Sequence, residues 1–186
     1  MIEFDFDDVI VDCQAIVEAG ILEETGVDVN SQRSKNFYVT VPGYTNSEVS
    51  DLVCEILLRD THKMLPTEMT IESLERISHI TKQPIRIITA RQLALTKVTN
   101  NLIKELAKDK FKYEVIFSYG YKKSAFLKPS TRFFVDDLPN HVNDLAKHLD
   151  NVFMMNREWN KNVLIKPNII RVENLQVVAK FIEKLL

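Results

Sequence analysis

Met1-Ile2-Glu3-Phe4-Asp5-Phe6-Asp7-Asp8-Val9-Ile10-Val11-Asp12 opens the chain and sets the reading of everything after it. A short apolar run ends in two carboxylates, Asp5 and Asp7, at the i, i+2 spacing that a strand's two-residue period aims to one side. Like charges held that close in a half-buried place repel strongly unless a cation sits between them. Mg²⁺ suits the position, because it takes hard oxygen ligands, keeps several waters and joins one or two carboxylates to a substrate phosphate. The competing reading is an acidic loop solvated at the end of a strand.

Three later segments bear on that choice. Pro84-Ile85-Arg86-Ile87-Ile88-Thr89-Ala90-Arg91 is a β-rich apolar run that ends in a hydroxyl and an arginine, as a buried parallel strand does when it delivers polar groups at its C-terminal edge. Lys122-Lys123-Ser124-Ala125-Phe126-Leu127 places a basic pair at the start of a short helical stretch. Arg132-Phe133-Phe134-Val135-Asp136-Asp137-Leu138-Pro139-Asn140 then repeats the opening pattern, a hydrophobic strand closing on paired carboxylates. In that order, Asp-x-Asp, Thr, Lys and Asp-Asp resemble the four motifs of the haloacid dehalogenase-like phosphotransferase superfamily.

The resemblance implies a role for each position. Asp5 becomes the nucleophile that attacks phosphorus and Asp7 the general acid and base. Thr89 binds a phosphoryl oxygen, and Lys123, with Lys122 as the alternative, balances the negative charge. Asp5, Asp7 (through its backbone carbonyl), Asp136 and Asp137 hold Mg²⁺, with Asp137 favoured over Asp136 as the direct ligand. The chemistry is sound in its own terms, since a carboxylate can attack an in-line phosphoryl group once the repelling oxygens are neutralised. Asp8 and Asp12 read instead as helix N-terminal charges that favour the macrodipole. His62, His79, His141 and His148 form no ligand-spaced cluster and are read as non-catalytic.

Composition bounds the rest. With 186 residues, 45% of them hydrophobic, the chain can bury one good core and a small accessory unit. A net charge of −2 with mixed signs offers no basic stripe for polymeric nucleic acid. Cys13 and Cys54 lack metal-like spacing and read as reduced packing residues, which points to the cytoplasm. Neither a secretory leader nor a membrane span is expected. The 4 glycines build no Gly-x-Gly-x-x-Gly or Walker-type loop, which removes support for a dinucleotide site or a P-loop kinase.

From Pro84 onward, strand and helix patterns alternate: Ile85–Thr89, 114–118, 132–135, 152–155 and Ile169–Val172, with helices over 93–106, 138–149 and 175–186. Such alternation predicts an α/β fold, a Rossmann-like parallel sheet with helices on both faces, whose ligands bind beyond the carboxyl ends of the strands. The segment after the first strand is different in character. Residues 9–22 read as a turn leading into a helix that ends near Gly20 or Gly26, a second helix over 48–59 is one that Ser47 could cap, and a third opens at Thr67 or Thr70. By resemblance, 16–79 is a small, mostly helical cap that selects the substrate, and 1–15 with 80–186 is the catalytic core. Phe37, Tyr38 and Tyr44 read either as packing within that cap or as faces that stack a base.

Asn151-Val152-Phe153-Met154-Met155-Asn156-Arg157-Glu158-Trp159-Asn160 resembles a segment of the cytosolic type C 5′(3′)-deoxyribonucleotidases, which also favour an Asp-x-Asp-Asp-Val opening and a Thr-Ala-Arg second motif. Trp159 reads equally as a core residue. The implied substrate is a small phosphorylated molecule, a nucleoside monophosphate foremost. Another phosphorylated metabolite, or a non-catalytic protein that binds a nucleotide or protein, are the alternatives.

Overall fold

A computed structural model describes residues 1–30 and 39–185. Phe37, Tyr38 and Leu186 therefore lie outside the described residues. Six strands form one sheet: β1 (Ile2–Phe4), β2 (Ile85–Thr89), β3 (Tyr113–Phe117), β4 (Phe133–Asp136), β5 (Asn151–Met155) and β6 (Ile169–Val172). All neighbours run parallel, in the order β3-β2-β1-β4-β5-β6. The strand order reverses between β1 and β4, which opens a crevice beyond their carboxyl ends.

The helices are α1 (Gln14–Thr25), α2 (Asn46–Asp60), α3 (Thr70–Thr81), α4 (Thr96–Ala107), α5 (Pro139–Leu145) and α6 (Leu175–Leu185). Strand alternation sorts the core into two layers. Ile85 and Ile87, Phe133 and Val135, and Phe153 and Met155 turn to one face, against Leu102 and Ile103 of α4 and Val178 and Ile182 of α6. Ile88, Phe134, Val152 and Met154 turn to the other, under Val142 and Leu145 of α5. Helix α5 stops four residues earlier than its apolar pattern suggests, and α4 is preceded by a 3₁₀ turn over Leu93–Leu95.

Over β1, β2 and β3 this second face carries charge as well, beside Ile88 and Ile116. Glu3 lies opposite Arg86, and Arg86 opposite Glu114. The Arg86 guanidinium donates to the Glu3 carboxylate and, at 2.9 Å, to the Phe126 carbonyl. Thr131 donates to Glu3 at 2.7 Å, and Lys128 pairs with Glu114 at 2.6 Å. Glu3 and Arg86 are both buried, so each offsets part of the other's cost of leaving water.

Helix α1 ends at Gly26, whose φ of +70° is the left-handed cap that glycine takes at least cost. The other glycine that the sequence offers, Gly20, lies inside α1, where an added Cβ would stand 2.6 Å from Ile56 Cγ2 of α2. Thr45, not Ser47, caps α2. Glu48 stands three residues beyond Thr45 and completes a reciprocal box, its carboxylate accepting the Thr45 N–H at 2.6 Å while its own N–H donates to Thr45 Oγ1 at 3.3 Å. Thr45→Ala is expected to lower stability by about 1 kcal/mol, read from the urea midpoint, with Ser47→Ala as the silent control.

Helix α3 packs on α6, and Arg76 reaches Glu183 across that contact at 2.5 Å. Just before α3 the chain returns past the loop that follows β1. Asp12 N–H donates to the Leu65 carbonyl at 2.9 Å, Thr67 N–H to the Ile10 carbonyl at 3.0 Å, and Thr67 Oγ1 to the Val9 carbonyl at 3.0 Å. Among the described residues, no helix is long and apolar enough to cross a membrane.

Candidate active site

Asp5 is the first residue past β1, held in line by its own N–H to the Val135 carbonyl of β4 at 2.8 Å. Asp136 closes β4, so both carboxylates reach the crevice where the strand order reverses. Between them stands Lys123, whose Nζ lies 2.7 Å from Asp5 Oδ1 and 2.7 Å from Asp136 Oδ2. Its side chain is 1% exposed, whereas that of Lys122 is 77% exposed and meets Asp144 at 3.7 Å. Of the two lysines, only Lys123 enters the site.

The charges here are set by burial and by each other. Burial pushes Asp5 up to about 6, against the pull of Lys123 and with Asp136 and Asp7 adding to the rise. Burial works on Asp136 too, but Lys123 and His141 outweigh it and hold that carboxyl well below the usual range. Asp137, buried and next to an ionised Asp136, is driven well above it. Asp5, Asp136 and His141 can each offer one ligand atom, all within 4.8 Å of one another.

His141 is a residue that sequence reasoning set aside. Its Nδ1 lies 3.4 Å from Asp136 Oδ2, and although burial opposes protonation, the nearby carboxylate raises its affinity for a proton. The available signal was its place one turn into the helix that follows β4, which returns it to the strand's carboxyl end. Asp137, which the sequence favours as the direct metal ligand, turns to Trp159, whose indole N–H donates to Oδ2 at 3.0 Å. It is Asp136 that joins Asp5.

Asp7 does not share a partner with Asp5. The chain bends at Phe6, and the Asp7 carboxylate meets the Arg91 guanidinium, with Nη2 2.6 Å from Oδ1. Thr89 closes β2 at the same sheet edge, fully buried, its hydroxyl accepting the Arg91 N–H at 3.2 Å.

Neither a family model nor a curated protein matches this chain. Solved structures do. A haloacid dehalogenase-like family hydrolase of Streptococcus pneumoniae is similar over 97% of both chains, at a TM-score of 0.63 and 15% identity. CbbY of Rhodobacter sphaeroides, solved in complex with phosphate, is similar over 94% of this chain and 93% of its own, at a TM-score of 0.61 and 9% identity. A haloacid dehalogenase-like family hydrolase of Xanthomonas campestris is similar over 99% of this chain and 94% of its own, at a TM-score of 0.54 and 15% identity.

The fold is haloacid dehalogenase-like. In this haloacid dehalogenase-like fold the two acidic residues that the sequence reads as helix charges sit as such. Asp8 Oδ1 accepts the N–H groups of Cys13 and Gln14 at 3.0 Å each, and Asp12 Oδ1 that of Ala15 at 3.3 Å. Burial still pushes Asp8 up to about 7, even with the Gln14 N–H drawing it down. Arg157 donates through Nε to the Asp8 carbonyl at 2.9 Å, and Asn160 Nδ2 donates to the Asp137 and Met155 carbonyls at 2.8 Å each. Trp159 is thus both a buried residue and a donor to the site. Tyr44, the described member of the three aromatics, is exposed just ahead of α2.

Proposed function

We propose that this chain is a Mg²⁺-dependent phosphomonoesterase of the haloacid dehalogenase-like superfamily. The observation that carries the reading is the buried Lys123 ammonium held 2.7 Å from both Asp5 and Asp136, at the carboxyl edge where the sheet reverses. A structural ion pair needs one carboxylate, and the second, with His141 beside it, offers a cation further donor atoms. The donors fit a hard divalent ion: carboxylate oxygens of Asp5 and Asp136 with His141 beside them, and the Asp7 carbonyl as the further oxygen that the resemblance supplies. When bound, such an ion offsets the charge of the phosphoryl oxygens so that an anionic nucleophile can approach.

The remaining steps belong to the chain. Lys123 and Thr89 orient the phosphoryl group, and an Asp5 oxygen attacks phosphorus in line, forming an aspartyl-phosphate as the ester P–O bond breaks. Asp7 gives its proton to the departing alkoxide. It then takes a proton from the water that attacks phosphorus, so that inorganic phosphate leaves and Asp5 is regenerated.

For substrate, a nucleoside monophosphate is the best reading, and a 5′(3′)-deoxyribonucleotidase activity the most specific form of it. The Asp5-Phe6-Asp7-Asp8-Val9 opening, Thr89-Ala90-Arg91 and the 151–160 segment support it. The test is phosphate release from nucleoside monophosphates and sugar phosphates at matched concentration. A preference for sugar phosphates removes the nucleotidase reading and leaves the phosphatase. Release is expected to fall to background in EDTA and return with Mg²⁺; full activity in EDTA contradicts the metal role.

A further inference from the structure

Arg91 is a cation at the rim of the site to which the steps above give no work. Its side chain is 2% exposed, yet it reaches Asp7 with two nitrogens: Nη2 to Oδ1 at 2.6 Å, and Nε to Oδ1 and Oδ2 at 3.1 and 3.0 Å. The rest of the guanidinium is equally occupied. Nη1 donates to Thr99 Oγ1 of α4 at 2.9 Å, Nη2 lies 3.2 Å from Met64 Sδ, and the central carbon stands 4.7 Å over the Phe6 ring. Three separate parts of the fold therefore fix where this planar group sits.

Asp7 follows the bend at Phe6 in a backbone bridge to Val11, which sets its main chain but no side-chain torsion, and its carboxylate, 27% exposed, meets the Cys13 thiol as well as the guanidinium. We propose that Arg91 is the positioning residue that aims Asp7 at the leaving oxygen. This rests on the reading of Asp7 as proton donor. The fork fixes the plane of the carboxylate and loads Oδ1 twice, so that Oδ2 keeps the spare lone pair that carries the proton. Met64 belongs to the chain that returns before α3, so the same guanidinium ties Asp7 to the inserted segment.

The test compares two esters in one preparation. Arg91→Lys and Arg91→Met are assayed on an alkyl phosphate, whose leaving group needs a proton, and on p-nitrophenyl phosphate, whose leaving group needs little. Misaiming a reacting group by about 1 Å costs on the order of a hundredfold, so single-turnover departure of the leaving group is expected to slow by about that factor on the alkyl ester and hardly at all on the aryl ester, the comparison being made before the water step that draws on Asp7 with either ester. The ratio of the two rates does not depend on how much of the variant is folded. Lysine is expected to recover only part of the alkyl rate, because an ammonium is a point charge without a fork. Equal losses on both esters, or no loss on either, overturn the inference. A wild-type protein that releases phosphate from neither ester overturns the phosphatase reading, and this inference with it.

Discussion

Asp5→Asn is expected to reduce phosphate release to background while the protein stays folded. The change removes the attacking oxygen's charge at nearly constant volume and leaves Lys123 its contact with Asp136 at 2.7 Å. Stability gives an independent check. Asp5 binds its proton more tightly when folded, at about 6 against 3.8 for the free side chain, so its contribution is most favourable below 3.8 and is lost as pH rises through 6. At pH 7 without divalent cations, the Asn variant is therefore expected to melt no lower than the parent. A variant that still turns over at the parent rate removes Asp5 from the mechanism. One that melts well below the parent shows that the carboxylate is a structural partner of Lys123.

The second large effect is on stability alone. Glu3→Ala strands the buried Arg86 guanidinium, and breaking a buried pair from one side costs about 3–5 kcal/mol. Glu114, 3.3 Å from Arg86 Nε on the more exposed edge, takes up only part of the charge. Against a total stability of roughly 5–15 kcal/mol for a domain, this lowers the urea midpoint severely. Adding Arg86→Met is expected to restore most of it, since replacing both partners by apolar groups is often neutral or better. A single Glu3→Ala with an unchanged midpoint would show that the ladder contributes nothing.

These residues also mark what is legible in a sequence. The strands from Ile85 onward announce themselves by apolar runs, and the site by Asp5 after β1 with Thr89 and Asp136 at later strand ends, because strand termini concentrate polar groups at fixed positions. Glu3 is hidden for the opposite reason: a carboxylate in an apolar run gains meaning only from Arg86, which the sheet register brings opposite it. The Arg91 fork on Asp7 and the Trp159 donor to Asp137 are likewise contacts between distant segments, and neither spacing nor composition encodes a distance. Thr45 is the local exception. Its box with Glu48 lies in four consecutive residues, and Ser47, a capping residue type two positions on, competes with it in the sequence.

The position of β1 has a consequence for how the molecule comes into being. This strand precedes the other five in sequence and is one of the two central ones, yet both its neighbours come late, β2 at Ile85 and β4 at Phe133. Thr131 and Glu3, joined in the folded sheet, are 128 positions apart. An emerging chain must therefore carry this strand unpaired until β2 has left the ribosome and with one edge open until β4 follows, and contacts of such long sequence range make folding slow. Asp5, Lys123 and Asp136 come together only when β4 docks beside β1. Refolding from denaturant should regain helical signal before phosphate release, and truncation ahead of Phe133 should leave an apolar N-terminal strand open to association with other copies.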